Sequence, residues 1–500
     1  MIDRIKSLLK CSIFLFLLIS SLYVINKVLE PKYFINTSSW TATAGMTQFY
    51  KKEKNTIDVL FLGSSVAVNN FIPQLLYDEF GIRSYNLASE QQSMILSYYR
   101  LKEALRYQVP KVVIIEGLYM EQQNPKRGVN TAEPFVRKCL DPMHFSFNKI
   151  KAVRDVCTRD KSLKPLSFFL TNIRFHDRWK SLTENDFNPG GTITPILFGW
   201  APGKEALQIV KSFEQNDSEE QYKLREDMVN YFYKINDICK KNGIILILTK
   251  TPQASSAITK IDAAYRKIAL QGDVDYYCFQ EKTLYERMKI DEEADSVVHH
   301  GNLSGNQKIT RLIGEILIEK YGLIKTYDHD FEKAKTSYDD ICISYNLNKI
   351  DDLNEYLKAI NRPSYVVMLS VKDDAANGMQ IATKKALKEL GLQASWDNES
   401  MYQHGYSAIV SEEQIIEDVA TLKKESVLKG MFRKKRNQYS ISSSGSEVKG
   451  GPKSSILIDG KEMAVNTRGL NIVVYDLYQQ KVIDSVAFDT NGDSRATRRQ

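Results

Sequence analysis

The sequence predicts an α/β protein with a membrane-spanning helix, a three-layer parallel-sheet domain and a smaller C-terminal α+β domain. Three observations indicate this. The first 27 residues hold a long uncharged run, five short apolar runs then alternate with amphipathic ones, and the pattern becomes strand-rich after residue 322. Apolar strands alternating with helices are typical of a parallel sheet covered on both faces. A chain of 500 residues also suggests two or three folded units.

The N-terminus has the composition of a short membrane anchor. Three basic residues precede the sixteen uncharged residues "CSIFLFLLISSLYVIN", and Lys27 closes the run. The run is shorter than the ~20 residues of an ideal span, but flanking lysines can snorkel. A cleaved signal peptide is the alternative, although no small-x-small site follows. We predict a cytoplasmic segment at 1–10, an anchor at 11–27 and a linker at 28–55, with the remaining chain extracytoplasmic in a bacterial envelope.

Composition argues against several other classes of function. The net charge of +7 is spread thinly, and the basic clusters "RKKR" and "RATRRQ" lack interleaved aromatic residues, so no nucleic-acid partner is expected. The cysteines outside the anchor form no CxxC pair, which predicts buried thiols and no metal site. The chain also lacks a glycine-rich phosphate loop, so we expect no cofactor.

The first domain is predicted over residues 56–325. Its five strands are expected at 57–62, 84–88, 111–115, 244–249 and 274–279. It should end with the helix "SGNQKITRLIGEILIEKYG". An insertion over about 119–217 interrupts the alternation. Such an insertion either shapes a substrate cleft or packs on the domain as a surface excursion.

The second domain is predicted over residues 351–492, after a polar connector at 326–350. Its strands include "SYVVMLSV" and "YSAIVS", and a helix covers "NGMQIATKKALKELGL". We predict a flexible loop at "SISSSGSEVKGGPKSS" and a terminal tail at 493–500.

The stretch "LFLGSSVAVNNF" suggests a nucleophile. Ser65 follows the first predicted strand, and Gly63 permits a sharp turn into a helix, where backbone N–H groups can stabilise an oxyanion. The base would come from His299 or His300, which precede the last helix of the same domain. In the alternative interpretation Ser65 is only a helix cap and the histidines belong to a polar loop.

Four motifs in order, "FLGSS", "YNLASEQQS", "RFHDRW" and "HGNLSG", resemble the bacterial SGNH (GDSL-like) hydrolase superfamily, especially members that modify cell-surface polysaccharides and teichoic acids. The resemblance implies a flavodoxin-like parallel sheet, with Ser65 as nucleophile and His300 as base. Val297 stands where the family has its orienting aspartate, so Asp295 is the nearest substitute. Loss of that carboxylate would weaken control of the imidazole tautomer.

The resemblance also implies residues around the substrate. Gln91 stands at the position of the oxyanion glycine, with Gln92 beside it, and Glu116 follows the third strand where a Gly-x-Asn-Asp block is expected. His176 in "RFHDRW" contacts substrate or simply packs.

The C-terminal stretches "YVVMLSVKDDAANGM" and "SSILIDGKEMAVNTRGLNIVVYD" resemble the interleukin-like EMT inducer (GG) domain. Some members of that family bind glycans, which implies a carbohydrate-binding module here. Arg468 and Asn471 are the contact candidates, and a turn or bulge at Gly469 is the alternative.

Together these patterns predict a membrane-anchored serine esterase or O-acyltransferase acting on a cell-surface polysaccharide or other glycan, with partner proteins of envelope modification. The alternative is a noncatalytic glycan-binding or assembly protein that keeps the same fold.

Overall fold

The computed structural model describes residues 2–30, 41–187, 196–203, 207–215, 222–433, 435–492 and 495–499. Parts of the predicted linker, insertion and tail lie outside the described residues. The described chain forms two compact units, which divide between Lys335 and Thr336.

The first helix, α1 (Ile2–Leu29), is long and apolar enough to cross a membrane, a property of both anchors and signal sequences. The predicted linker contains a second helix, α2 (Thr41–Phe49), which buries Met46 and Phe49 in the core of the first unit.

A parallel sheet of five strands forms the centre of the first unit. The strands are β1 (Val59–Leu62), β2 (Ser84–Asn86), β3 (Val112–Glu116), β4 (Ile245–Lys250) and β5 (Asp275–Cys278). Their order is β2-β1-β3-β4-β5, and every pairing is parallel. All five lie within a residue or two of their predicted positions. In this order the carboxyl ends of β1 and β3 lie side by side, where ligands of open α/β sheets bind.

The remaining helices of the first unit are α3 (Ser65–Asn70), α4 (Pro73–Phe80), α5 (Met94–Ala104), α6 (Glu133–Leu140), α7 (Phe147–Arg159), α8 (Thr171–Phe175), α9 (Glu184–Phe187), α10 (Glu226–Lys241), α11 (Ile258–Gly272), α12 (Lys282–Arg287) and α13 (Leu303–Glu319). Helices lie on both faces of the sheet, whereas α8 and α9 contact α1. Alternate residues of β1 enter two different cores: Leu60 and Leu62 pack with α5 and α10, and Val59 and Phe61 pack with α3, α4 and α13. The sheet is therefore the middle of three layers.

The segment predicted as a polar connector is mostly helical. Helix α14 (His329–Asn346) buries Phe331, Tyr338 and Ile341, and the hydroxyls of Ser364 and Tyr365 donate to Asp340. Its apolar residues recur with helical spacing, which an interpretation based on polarity alone overlooks.

The second unit is built on a sheet of ten strands. They are β6 (Tyr365–Lys372), β7 (Tyr406–Val410), β8 (Ile415–Val419), β9 (Ser426–Phe432), β10 (Asn437–Ser444), β11 (Lys453–Ile458), β12 (Lys461–Glu462), β13 (Gly469–Asp476), β14 (Lys481–Phe488) and β15 (Ala496–Arg498). Its helices are α15 (Leu353–Ile360), α16 (Ile381–Glu389) and α17 (Asn398–Met401). Apolar cores form on both faces, consistent with the predicted α+β class.

Half of the serine-rich stretch predicted as a flexible loop, residues 440–455, is strand. Only residues 445–452 between β10 and β11 are outside the strands. Ser370 donates to the carbonyl of Ser442 at 2.8 Å, and Ser454 donates to Ser370 at 3.0 Å. Serine composition suggested a loop, but neighbouring strands satisfy these buried hydroxyls.

Candidate active site at the edge of the parallel sheet

The turn from β1 into α3 places two serines in different roles. Gly63 has φ +138°, and a Cβ there would lie 2.8 Å from Glu116 Cβ, so the turn requires glycine. The hydroxyl of Ser64 accepts a hydrogen bond from the amide of Val66 and so caps α3. The helix cap is therefore Ser64, and the hydroxyl of Ser65 points to a different partner.

That partner is His300. Ser65 Oγ lies 2.8 Å from His300 Nε2, and both residues are half-buried. The structure brings together the two residues that the sequence proposed as nucleophile and base. A general base at Nε2 would accept from the serine hydroxyl, and the neutral imidazole would then carry its proton on Nδ1.

Asparagines hold the loop that carries His300. The side chain of Asn306 donates to the carbonyl of His300 at 2.9 Å. Asn302 accepts from the amide of Gly305 at 3.0 Å and caps α13. Both asparagines belong to the motif "HGNLSGN", from which the sequence predicted only the position of the histidine.

The neighbouring His299 contributes through its backbone. It has φ +50°, its amide donates to the carbonyl of Pro252 at 3.0 Å, and its carbonyl accepts from Asn70 at 3.0 Å. These bonds join the loop to the end of β4 and to α3. The structure thus places against Ser65 the histidine that the resemblance implies as base, His300.

Asp295 has its own partners within the loop. Its carboxylate pairs with Lys308 and accepts from the amide of Asp291 at 2.8 Å. Burial alone would raise the pKa of Asp295, but the hydrogen bond from Lys308 and that from Asp291 hold it below its usual value. Val297, at the usual aspartate position, is buried. These contacts do not support an orienting role for Asp295, which stays a prediction.

Glu116 lies beneath the serine turn and is almost fully buried. It accepts from the hydroxyl of Ser64 at 3.2 Å and from the amide of Leu118 at 3.0 Å. Burial raises the pKa of Glu116 from 4.5 to about 7, against the opposing charge of Lys250. Such burial does not favour the direct substrate contact expected from the sequence. Its position supports the turn instead.

The two glutamines proposed for the second block lie in different environments. Gln92 is buried, donates to Ser97 at 3.0 Å and accepts from Arg100 at 3.0 Å. Its side chain is thus engaged in the interior of the domain. Gln91 has φ +49° in a turn and accepts from Thr131 at 3.4 Å. A positive φ fits the glycine that the family has there, but the oxyanion role of Gln91 stays a prediction.

The end of the insertion packs against the site. The indole of Trp200 donates to the carbonyl of Asn69 at 2.9 Å, and Asn69 donates to the carbonyl of Ala201 at 2.6 Å. A Cβ at Gly203 would overlap with the carbonyl oxygens of His300 and Gly301. The sequence indicated this "GWAPG" segment only as part of the insertion and assigned none of its residues to the site.

The middle of the insertion packs against α1. His176 belongs to a 3-10 turn (His176–Ser181) that contacts α1. Its ring is exposed, lies 3.3 Å from the carbonyl of Ile173 and pairs with Asp177 at 3.5 Å. This placement gives no support to a substrate contact.

The residues proposed for glycan binding hold a turn in the second unit. Asn471 is fully buried and accepts from the amide of Asn466 at 2.9 Å, while donating to the carbonyl of Thr467 at 2.8 Å. Arg468 forms a two-pronged ion pair with Asp489. Gly469 has φ +96°. The alternative interpretation, a turn at Gly469, accounts for these contacts.

Among the described residues, no cluster of three or more histidine, cysteine, aspartate or glutamate side chains has a geometry that would hold a metal ion. All six cysteines are free thiols, and four of them are buried.

Comparison with known families supports one of the two resemblances. A family model described as interleukin-like EMT inducer matches residues 327–406. The matched segment begins inside the predicted connector and covers α14, α15, β6, α16, α17 and the start of β7. A comparison with curated proteins finds no match.

Proposed function

We propose that the protein is an envelope-anchored serine esterase or O-acyltransferase of the SGNH type, acting on a cell-surface glycan. The observation that carries this proposal is the 2.8 Å contact between Ser65 Oγ and His300 Nε2. It supports the proposal because nucleophile and base meet at the carboxyl edge of a parallel sheet, on a glycine turn that begins a helix.

The chemistry follows from this pair. Ser65 Oγ forms a bond to the carbonyl carbon of an acyl ester while its proton moves to His300 Nε2. The tetrahedral intermediate collapses, and the leaving alkoxide takes that proton. Water or a sugar hydroxyl then attacks the acyl-enzyme, gives its proton to His300 and releases the product as Ser65 is reprotonated. The amides of Ser65 and Ala67 at the start of α3 would face the oxyanion, whereas those of Val66 and Val68 donate to the hydroxyl and the carbonyl of Ser64.

Three features support a glycan of the cell surface as the acyl donor or acceptor. The N-terminal helix suits an anchor, the interleukin-like EMT inducer match marks a module whose family includes glycan binders, and the motifs around Ser65 resemble enzymes of surface polysaccharides. The second unit would then present the polymer to the first.

Covalent labelling tests the proposal. A fluorescent alkyl phosphonate should label the purified full-length chain, and Ser65→Ala should abolish labelling. Ser64→Ala is the matched control, because it removes the neighbouring hydroxyl and leaves the nucleophile. Equal labelling of wild type and Ser65→Ala, or no labelling of the wild type, would contradict the proposal that the protein is a serine enzyme.

A noncatalytic glycan-binding protein is the second candidate. The observation that favours it is the engagement of Asp295 by Lys308 and Asp291, with buried Val297 at the usual aspartate position. Binding of surface polysaccharide by Ser65→Ala with wild-type affinity, together with absent phosphonate labelling in the wild type, would identify this function.

A further inference from the structure

The insertion carries five exposed apolar side chains within the segment whose helices contact α1. We call this set the juxtamembrane face and define it by Leu166, Leu170, Ile173, Trp179 and Phe187. Leu166, Trp179 and Phe187 are exposed to 66%, 65% and 66%. Isolated apolar residues on a surface are ordinary, but five exposed ones within 22 positions of a segment that contacts α1 suggest a contact site.

This face is attached to the end of α1. Helices α8 and α9 and the 3-10 turn between them all contact α1. The amide of Asn172 donates to Asn26 Oδ1 at 2.9 Å, and Arg178 donates to the carbonyl of Leu29 at 2.7 Å. Arg178 also pairs with Asp186, which joins α9 to the same point.

The attachment points locate the face along the helix axis. The uncharged run of α1 ends at Asn26, and Leu29 lies three residues further, about 4.5 Å along a helix axis. Leu29 is buried against the insertion, whereas the side chains from Ile13 to Ile25 are largely exposed. The contacts therefore lie where a spanning helix leaves the hydrocarbon core and enters the headgroup region.

The composition of the face suits that region. Tryptophan is enriched at membrane interfaces because its ring is amphipathic, and tryptophan, phenylalanine and leucine are typical of apolar faces that insert between headgroups. The exposed Lys161, Lys164 and Lys180 lie in the same segment and would attract anionic headgroups.

We propose that the juxtamembrane face inserts into the headgroup region of the bilayer that α1 crosses, so that the first unit touches the membrane at a second place besides its anchor. The proposal rests on the anchor in the proposed function, because the face adjoins the exit of that helix. Apolar insertion beside a fixed anchor would restrict tilting of the first unit and keep it close to the membrane surface.

Tryptophan quenching tests the proposal on the full-length chain. The protein is reconstituted into vesicles of phosphatidylcholine and phosphatidylglycerol that carry bromine either near the headgroup or near the acyl terminus. The difference between wild type and Trp179→Phe isolates the emission of Trp179. We expect headgroup-proximal bromine to remove roughly half of that emission and terminal bromine to remove much less.

A matched control moves the probe to a face away from α1. Leu270→Trp in the Trp179→Phe background places tryptophan at an exposed position in α11, and the added emission should not be quenched. Ile173→Glu should reduce quenching of Trp179. Equal quenching of Trp179 and of the probe introduced by Leu270→Trp, or none at Trp179, would overturn the proposal. If neither tryptophan is quenched and the protein is a dimer in detergent, the juxtamembrane face is instead a contact with a second copy of the chain.

The anchor has a separate readout. Flotation of the vesicles reports whether the chain is inserted, irrespective of where Trp179 lies. Flotation without quenching contradicts the juxtamembrane face alone, whereas failure of the full chain to float would contradict the anchor and this inference together.

Discussion

Ser65 Oγ and His300 Nε2 lie 2.8 Å apart although the two residues are separated by 235 positions in the sequence. The two side chains meet because β1 ends next to Ser65 at the carboxyl edge of the parallel sheet, and the loop before α13 lies at the same edge. Ser64 caps the helix, which leaves the hydroxyl of Ser65 for the imidazole.

The first prediction concerns this pair. His300→Ala should reduce the rate of acyl-ester hydrolysis by about 10²- to 10⁴-fold, because the serine loses its general base. Initial rates with a chromogenic acetyl ester measure the effect. His299→Ala is the control and should retain most activity, since the contacts of His299 with Pro252 and Asn70 use its backbone. A larger loss in His299→Ala than in His300→Ala would assign the base to the other imidazole.

The second prediction separates two roles of Asp295. If its carboxylate serves the loop, Asp295→Asn should lower the free energy of unfolding by about 1–2 kcal/mol and change kcat little. If the carboxylate orients His300, the same substitution would instead lower kcat by about 10⁴-fold. Urea unfolding and ester hydrolysis are measured together.

Lys308→Met is the control for Asp295, because it removes the other member of the same ion pair. Both variants should show similar losses of stability. If kcat falls steeply in Asp295→Asn and stays normal in Lys308→Met, Asp295 acts on His300 and not on the loop.

The third prediction uses the raised pKa of Glu116. The folded chain keeps the proton up to about pH 7, whereas the unfolded chain releases it near 4.5. Between these values the folded state binds more protons, so stability falls as pH rises, by about 3 kcal/mol in total for this group. Glu116→Gln should remove that part of the pH dependence. Urea unfolding of both proteins at about pH 4.5 and about pH 8 tests this, and identical pH dependence in the two would contradict it.

The fourth prediction concerns the turn before β13. Asn471→Ala should lower the free energy of unfolding of the second unit by about 2–3 kcal/mol, because two backbone amides and a carbonyl lose their hydrogen bonds to the buried Asn471 side chain. Arg468→Ala should change stability much less, since its ion pair with Asp489 is partly exposed and screened by water. Thermal unfolding measures both. If Arg468→Ala weakens binding to surface polysaccharide without loss of stability, the arginine is a glycan contact.

Patterns that depend on neighbouring residues could be predicted from the sequence. Alternating apolar runs located all five strands of the parallel sheet, and an uncharged run located α1. The same approach failed at β10, where serines suggested a loop, and at α14, where polar residues hid an amphipathic helix. In both cases burial against distant strands or helices decided the outcome, and composition does not report it.

For the candidate site, the residue types and their order could be taken from the chain alone: a serine after the first strand, two histidines before the last helix, and no aspartate at position 297. The folded chain was needed to establish which serine caps the helix, which histidine faces Ser65, and that Asp295 pairs with Lys308. These features depend on contacts between side chains that are hundreds of residues apart in the sequence. Such contacts are determined by how the chain folds around the sheet. The attachment of the insertion to the end of α1 has the same origin, because no local pattern joins residues 26 and 172.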